Sequence, residues 1–119
     1  MNIHEYQAKD LFREYAIPVP QGGVATSGEQ AQQIAQRLGG DTWVIKAQIH
    51  AGARGKAGGV KVIQSLEEIE KFTDSLLGER LVTHQTDALG LPVNSVWVEL
   101  ASSIKQEFYL SLLVDRETE

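Results

Sequence analysis

A chain of 119 residues that is 42% hydrophobic and 23% charged has the composition of a globular domain with a modest core, and with no cysteine it excludes disulfides, thiol catalysis and cysteine-held zinc. A formal net charge of −5 at pH 7 argues against general nucleic-acid binding, whose affinity comes chiefly from neutralising phosphates. Apolar runs are only a few residues long and no basic-then-apolar leader opens the chain, so neither a membrane span nor a secretory signal is expected and the cytoplasm is the default location.

Asn2 to Tyr15 reads as a helix: Asn2 can cap it, Glu5 follows three residues later, and Ile3, Tyr6, Leu11, Phe12 and Tyr15 share one face. Pro18 and Pro20 end it. A short strand is expected over Gly23 to Ala25. A second helix opens at Ser27 with Gln30 in capping-box spacing, carries Ala31, Ile34, Ala35 and Leu38 inward, and closes at Gly39-Gly40. Strands follow over Thr42 to Ile49 and Val60 to Ile63. Ser65 and Glu68 start a third helix through Leu77, with Leu66, Ile69, Phe72 and Leu76 inward and Gly78 ending it. Glu79 to Asn94 is read as loop, apart from a short strand at Leu81 to Thr83. Ser95 to Leu100 and Glu107 to Asp115 read as two antiparallel strands joined by Ala101 to Gln106. The expected class is α+β with α/β-like alternation, a mixed or antiparallel sheet packed with helices. The apolar strand ending at Asp115, immediately before the last residues, reads as a domain cut short.

Lys46 to Lys61, Lys-Ala-Gln-Ile-His-Ala-Gly-Ala-Arg-Gly-Lys-Ala-Gly-Gly-Val-Lys, is a strand running into a basic glycine-rich turn. It holds four of the eleven Lys and Arg residues, and no acidic residue occurs from Thr42 through Leu66, so this stretch attracts a small anion despite the overall negative charge. Gly52, Gly55, Gly58 and Gly59 permit positive φ and close backbone approach, with successive amides converging on phosphate oxygens. A solvated hairpin tip accounts for the glycines equally well. Neither of the two familiar phosphate-loop patterns is present.

Alternation divides each strand into two faces. Trp43, Ile45, Ala47 and Ile49 form a wholly apolar face opposite Val44, Lys46 and Gln48; Val96, Val98 and Leu100 oppose Trp97 and Glu99; Phe108, Leu110, Leu112 and Val114 oppose Glu107 and Tyr109. A charge beside an apolar or aromatic neighbour suits a ligand cleft, although an antiparallel sheet with one wet face has the same pattern. Lys46, placed mid-strand and leading into the glycine turn, favours the cleft. Lys46 and Arg54 are then expected to meet phosphates, and carboxylates to accept from ribose hydroxyls. His4, His50 and His84 have no metal-ligand spacing, so no metal site is expected in this segment; His50 beside the turn is a weak candidate contact.

Asn2-Ile-His-Glu-Tyr-Gln-Ala-Lys9, the Lys46 to Lys61 segment, Leu81-Val-Thr-His-Gln-Thr86, Glu107-Phe-Tyr-Leu and Val114-Asp-Arg116 resemble, in order and over nearly the whole length, the N-terminal part of the β subunit of succinate–CoA ligase. The resemblance implies an ATP-grasp fold, of which residues 1–119 are the first subdomain, with the second subdomain and a C-terminal CoA-ligase domain absent. It implies an enzyme that couples ATP or GTP, with Mg²⁺, to succinyl-CoA formation from succinate and CoA through a phosphohistidine on a partner α subunit. By position, Lys46, Ala53, Arg54 and Gly55 would contact nucleotide phosphates, Glu99 and Ser102 would border the base, and Glu107 would hold the ribose. No catalytic residue is expected in this segment, and the magnesium ligands would lie beyond residue 119. The fragment is expected to be inactive alone. A malate–CoA ligase β subunit shares these motifs, and a non-catalytic nucleotide-sensing or interaction module is the reading of a different class. Many members of the family carry glycine where this chain has Ala53, which is comfortable only at negative φ.

Overall fold

The computed structural model describes residues 2–114. In chain order it contains α1 (Glu5–Glu14), β1 (Gly22–Ala25), α2 (Gly28–Leu38), β2 (Trp43–Ala47), β3 (Val60–Ile63), α3 (Leu66–Leu76), β4 (Arg80–Leu81), β5 (Leu91–Pro92) and β6 (Val96–Leu100). Four strands make one antiparallel sheet in the order β1-β6-β2-β3, and β4 pairs with β5 in a separate ladder. This is the α+β class that the alternation of elements predicts.

The apolar faces expected for β2 and β6 are buried. Trp43, Ile45 and Ala47 of β2, Val96 and Val98 of β6, and Ile63 of β3 are buried together with Ala31, Ile34 and Ala35 of α2 and Ile69 and Leu76 of α3. Both helices begin on the serines named from sequence, with Ser27 Oγ accepting from the Gln30 amide at 3.2 Å and Ser65 Oγ from the Glu68 amide at 3.5 Å. The reciprocal halves of the capping boxes do not form. Gln30 Oε1 accepts from the Thr26 amide and Glu68 pairs with Lys61, because each long side chain has a better donor one residue away or on the adjacent strand.

Two expectations need correction. The first helix starts at Glu5 with His4 at its cap, and Gln7 Oε1 accepts from the His4 amide at 2.8 Å, so Asn2 lies outside it. More consequentially, its apolar residues do not face the sheet: Leu11, Phe12 and Tyr15 are exposed, and α1 has no buried residue. What docks α1 is its charged stripe, Glu5, Lys9 and Arg13, spaced four apart.

The second correction concerns the expected strand from Glu107 to Asp115. Residues 101–114 have no regular structure, and Phe108, Leu110, Leu112 and Val114 are all more than four-fifths exposed. An alternating pattern needs a neighbouring strand to take its hydrogen bonds, and none pairs with this stretch among the described residues. Asp115 itself lies outside the described residues.

Candidate nucleotide cleft

Because β2 turns Trp43, Ile45 and Ala47 into the core, Lys46 must project from the opposite face. There it lies across from Trp97 and diagonal to Glu99 on β6, whose register pairs Val44 with Glu99 and Lys46 with Trp97. The Lys46 ammonium is 2.5 Å from Glu99 Oε1 and 3.0 Å from Glu5 Oε1. The second Glu5 oxygen, Oε2, accepts from the Arg54 guanidinium at 2.6 Å. Lys9 reaches both carboxylates, at 3.0 Å from Glu5 Oε1 and in direct contact with Glu99 Oε2. Trp97 Nε1 donates to Glu99 Oε2 at 2.6 Å, and its indole is covered by the Lys9 and Arg13 cations.

Three cations therefore meet two carboxylates, leaving one surplus positive charge in a half-buried cluster. Burial pushes the Glu5 carboxyl up, but the Arg54 hydrogen bond and the Lys46 charge outweigh it and bring the group down to about 2. Burial likewise opposes ionisation of Glu99, and hydrogen bonds from Lys46, Lys9 and Trp97 overcome it, holding the carboxyl below its ordinary value. Lys46 is desolvated as well, yet its pairing with Glu99 and Glu5 raises it above an ordinary lysine. All three groups are ionised at neutral pH.

The cluster is one wall of a cleft of about 780 Å³, lined by Lys46, Glu99, Ser102 and Glu107 with Val44 and Val62 among its apolar residues. Four of the residues named from sequence thus come together. The other three are displaced from it. Arg54 lines a smaller, polar cleft of about 300 Å³ with Gly52, His50 and Gln85, and Glu5 stands between the two, lining both. Ala53 lines a third hollow with Lys56 and His84, and Gly55 is exposed in the turn.

The glycine turn is folded on itself rather than splayed as a ring of free amides. Gly59 and Ala57 donate to the Arg54 carbonyl, Gly58 to that of Gly55, and Gly52 to Gln85 Oε1 at 2.6 Å. Of its four glycines only Gly58 has positive φ, at 80°. Gly59 serves close packing instead, since a Cβ there would lie 2.5 Å from Leu81. The positive φ expected to be incompatible with alanine occurs at Ala53, at 57°. That conformation costs alanine roughly 1 kcal/mol relative to glycine. Ala53→Gly is therefore expected to stabilise the chain by about 0.5 kcal/mol once the added freedom of the unfolded glycine is subtracted. Urea unfolding checks this, and a loss of stability would show that the methyl packs well enough to outweigh the strain.

Sequence reasoning missed Glu5, Lys9 and Trp97. The available signal was the four-residue charge stripe on α1, Glu5-Lys9-Arg13, which reads equally as a solvated helix face. His50, the weak candidate beside the turn, stacks on His4 with ring centroids 4.0 Å apart. Burial, then the nearby His50 and Arg54, keep His4 below its ordinary value. The pair joins the cap of α1 to the chain entering the glycine turn.

Comparison with known proteins agrees with this architecture. The chain is 59% identical over all of its 119 residues to "Succinate--CoA ligase [ADP-forming] subunit beta" of Nitratiruptor sp.. It is 63% identical over 116 residues, 98% of its length, to the subunit of the same name from Alkalilimnicola ehrlichii, and 56% identical over 119 residues to that of Nautilia profundicola. The chain spans 30% of the length of each of these curated relatives. The resemblance carried by the Asn2 to Lys9 and Lys46 to Lys61 motifs therefore extends over the whole sequence. The ATP-grasp domain family matches residues 2–119, a span that takes in the lysine-bearing strand, the glycine turn and the face that joins them, and the chain belongs to that family.

Proposed function

We propose that this chain is the first ATP-grasp subdomain of a succinate–CoA ligase β subunit and forms one wall of its nucleotide site. The observation that carries the proposal is the Lys46 ammonium, fixed mid-strand by two carboxylates and opening onto the cleft that Glu99, Ser102 and Glu107 also line. A cleft of about 780 Å³ has room for a nucleotide and combines apolar walls with a few fixed polar groups. Lys46, with Arg54 and the Ala53-Arg54-Gly55 turn, would take the phosphates, Glu99 and Ser102 the base edge, and Glu107 the ribose hydroxyls. The relatives are named ADP-forming, which favours ATP and ADP over GTP as the pair bound.

No group of three His, Cys, Asp or Glu side chains able to hold a metal occurs among the described residues. Mg²⁺ would enter with the triphosphate and, as the family resemblance implies, be held by groups beyond residue 119. Succinate, CoA and the phosphohistidine-bearing α subunit would be engaged by other parts of the enzyme. In that enzyme this segment's contribution to phosphoryl transfer is positioning and charge neutralisation. By itself the chain is expected to form no succinyl-CoA.

Calorimetric titration with ADP and Mg²⁺ tests the reading on the chain and its Lys46→Ala variant. A charge-assisted phosphate contact is worth about 1.5–3 kcal/mol, so the variant should bind at least about tenfold more weakly. Equal affinities would remove Lys46 from the site and with it the centre of the proposal.

A further inference from the structure

Among the described residues, Glu5 is the one carboxylate that touches both cations expected at the phosphates. Its Oε1 accepts from Lys46 at 3.0 Å and its Oε2 from Arg54 at 2.6 Å, while the side chain separates the cleft that Lys46 lines from the one that Arg54 lines. Two acceptor oxygens spread between an ammonium and a guanidinium reproduce what a phosphoryl group offers such a pair. We propose that the Glu5 carboxylate occupies the anion seat between Lys46 and Arg54, and that the phosphate chain of a nucleotide binds by displacing it, so that Glu5 sets the site's affinity for polyphosphate. The inference rests on the nucleotide reading of the cleft and adds to it a residue that tunes phosphate binding.

Glu5 is not needed to hold the cations in place. Lys46 keeps Glu99 at 2.5 Å, Arg54 keeps the Ala47 carbonyl at 2.7 Å, and Lys9 keeps Glu99. Removing the Glu5 charge leaves every cation anchored and changes only the number of anions competing for them. A residue whose work was to position Lys46 and Arg54 would instead be one of their only supports. Glu5 also resists protonation, being held at about 2 by these partners, so it is a full competitor at neutral pH.

Displacement has a structural consequence. Glu5 is the first residue of α1, a helix that buries none of its residues and is held through polar contacts: Glu5 itself, Lys9 on Glu99, the Tyr6 amide on Gln48 Oε1, and the Arg13 guanidinium on the Pro20 carbonyl. Expelling the Glu5 carboxylate from the cluster therefore removes the ionic contacts of the start of α1 with β2 and the glycine turn, leaving the Tyr6–Gln48 hydrogen bond and the His4–His50 stack to hold it. Occupancy of the phosphate seat is thereby linked to the docking of the first helix.

The test compares the wild type, Glu5→Gln and Lys46→Ala by calorimetry with three probes: Mg²⁺-ADP, sodium tripolyphosphate and adenosine. Glu5→Gln preserves the length and shape of the side chain while removing its charge. It should bind ADP and tripolyphosphate on the order of tenfold more tightly than the wild type, and adenosine unchanged. Unchanged or weaker polyphosphate binding by Glu5→Gln overturns the inference, and equal tightening of adenosine overturns it too, since adenosine has no phosphate to take the seat. Should Lys46→Ala bind ADP like the wild type, the nucleotide reading itself falls. Lys46→Ala weakening with no gain in Glu5→Gln rejects the Glu5 assignment alone. A measurement on the unaltered chain guards against a variant that fails to fold. Saturating tripolyphosphate should shift the Glu5 carboxyl carbon resonance as it leaves Lys46 and Arg54, and an unmoved resonance at saturation rejects displacement.

Discussion

Replacing Glu99 by alanine is expected to lower the stability of the chain by about 3 kcal/mol, the scale on which breaking a buried ion pair leaves uncompensated charge behind. Glu99 is only 5% exposed and answers three donors: Lys46, Lys9 and the Trp97 indole. Truncation strands the Trp97 N–H under α1 with no acceptor. It also leaves Lys46 and Lys9 sharing Glu5, so three cations converge on one carboxylate. Glu99→Gln, which still offers an oxygen to Trp97, should cost less, and the difference between the two variants isolates the part owed to charge. Thermal and urea unfolding supply both numbers. A loss below about 1 kcal/mol for the alanine variant would mean that water screens this cluster as it screens surface pairs.

Gly22→Ala should destabilise by about 2–4 kcal/mol, although glycine within a strand is ordinarily a weakness that alanine repairs. The reason is the neighbouring strand. Gly22 on β1 sits opposite Glu99 on β6, and a Cβ at position 22 would lie 2.4 Å from the Trp97 ring and 2.4 Å from the Val98 carbonyl oxygen. The backbone oxygen cannot move without breaking the ladder, and the indole can move only by giving up its hydrogen bond to Glu99. Gly22 is thus the gap that lets Trp97 lie over β1 with its N–H aimed at the carboxylate. The emission of Trp97 reports the event directly: the variant's spectrum should differ from the wild type's in the folded state, with Trp43 as an internal reference in the core. Wild-type stability together with a wild-type spectrum would mean that β1 shifts away and the contact is dispensable.

Taken together, Gly22, Trp97, Glu99, Lys46, Glu5 and Arg54 form a line from the edge strand of the sheet to the glycine turn. Only Lys46, Arg54 and Glu99 in it were named from the sequence as site residues. Glu99 was expected to meet a ligand; in the structure its partners are Lys46, Lys9 and Trp97, and it holds the cluster together from beneath.

Elements whose identity is written in local periodicity were legible from the residues alone. The inward faces of α2 and α3, the serines that start them, and the apolar side of β2 and β6 are repeats of apolar residues at 3.6 or 2 spacing, and that spacing records which face leaves water. The position of Lys46 opposite the core follows from the same alternation, and the order of motifs identified the family. Tertiary structure decided what those repeats do not encode, namely which neighbour each remaining face meets. The apolar residues of α1 suggested the wrong docking face, because its stripe of charges finds partners 41 to 90 residues away and those partners fix its orientation. The alternation after Glu107 specifies a strand only where another strand can receive its hydrogen bonds, and among the described residues none does. At Ala53 the closed geometry of the turn imposes a positive φ that the side chain alone would avoid. In each case the deciding energy is a contact between residues far apart in the chain, which no local window contains.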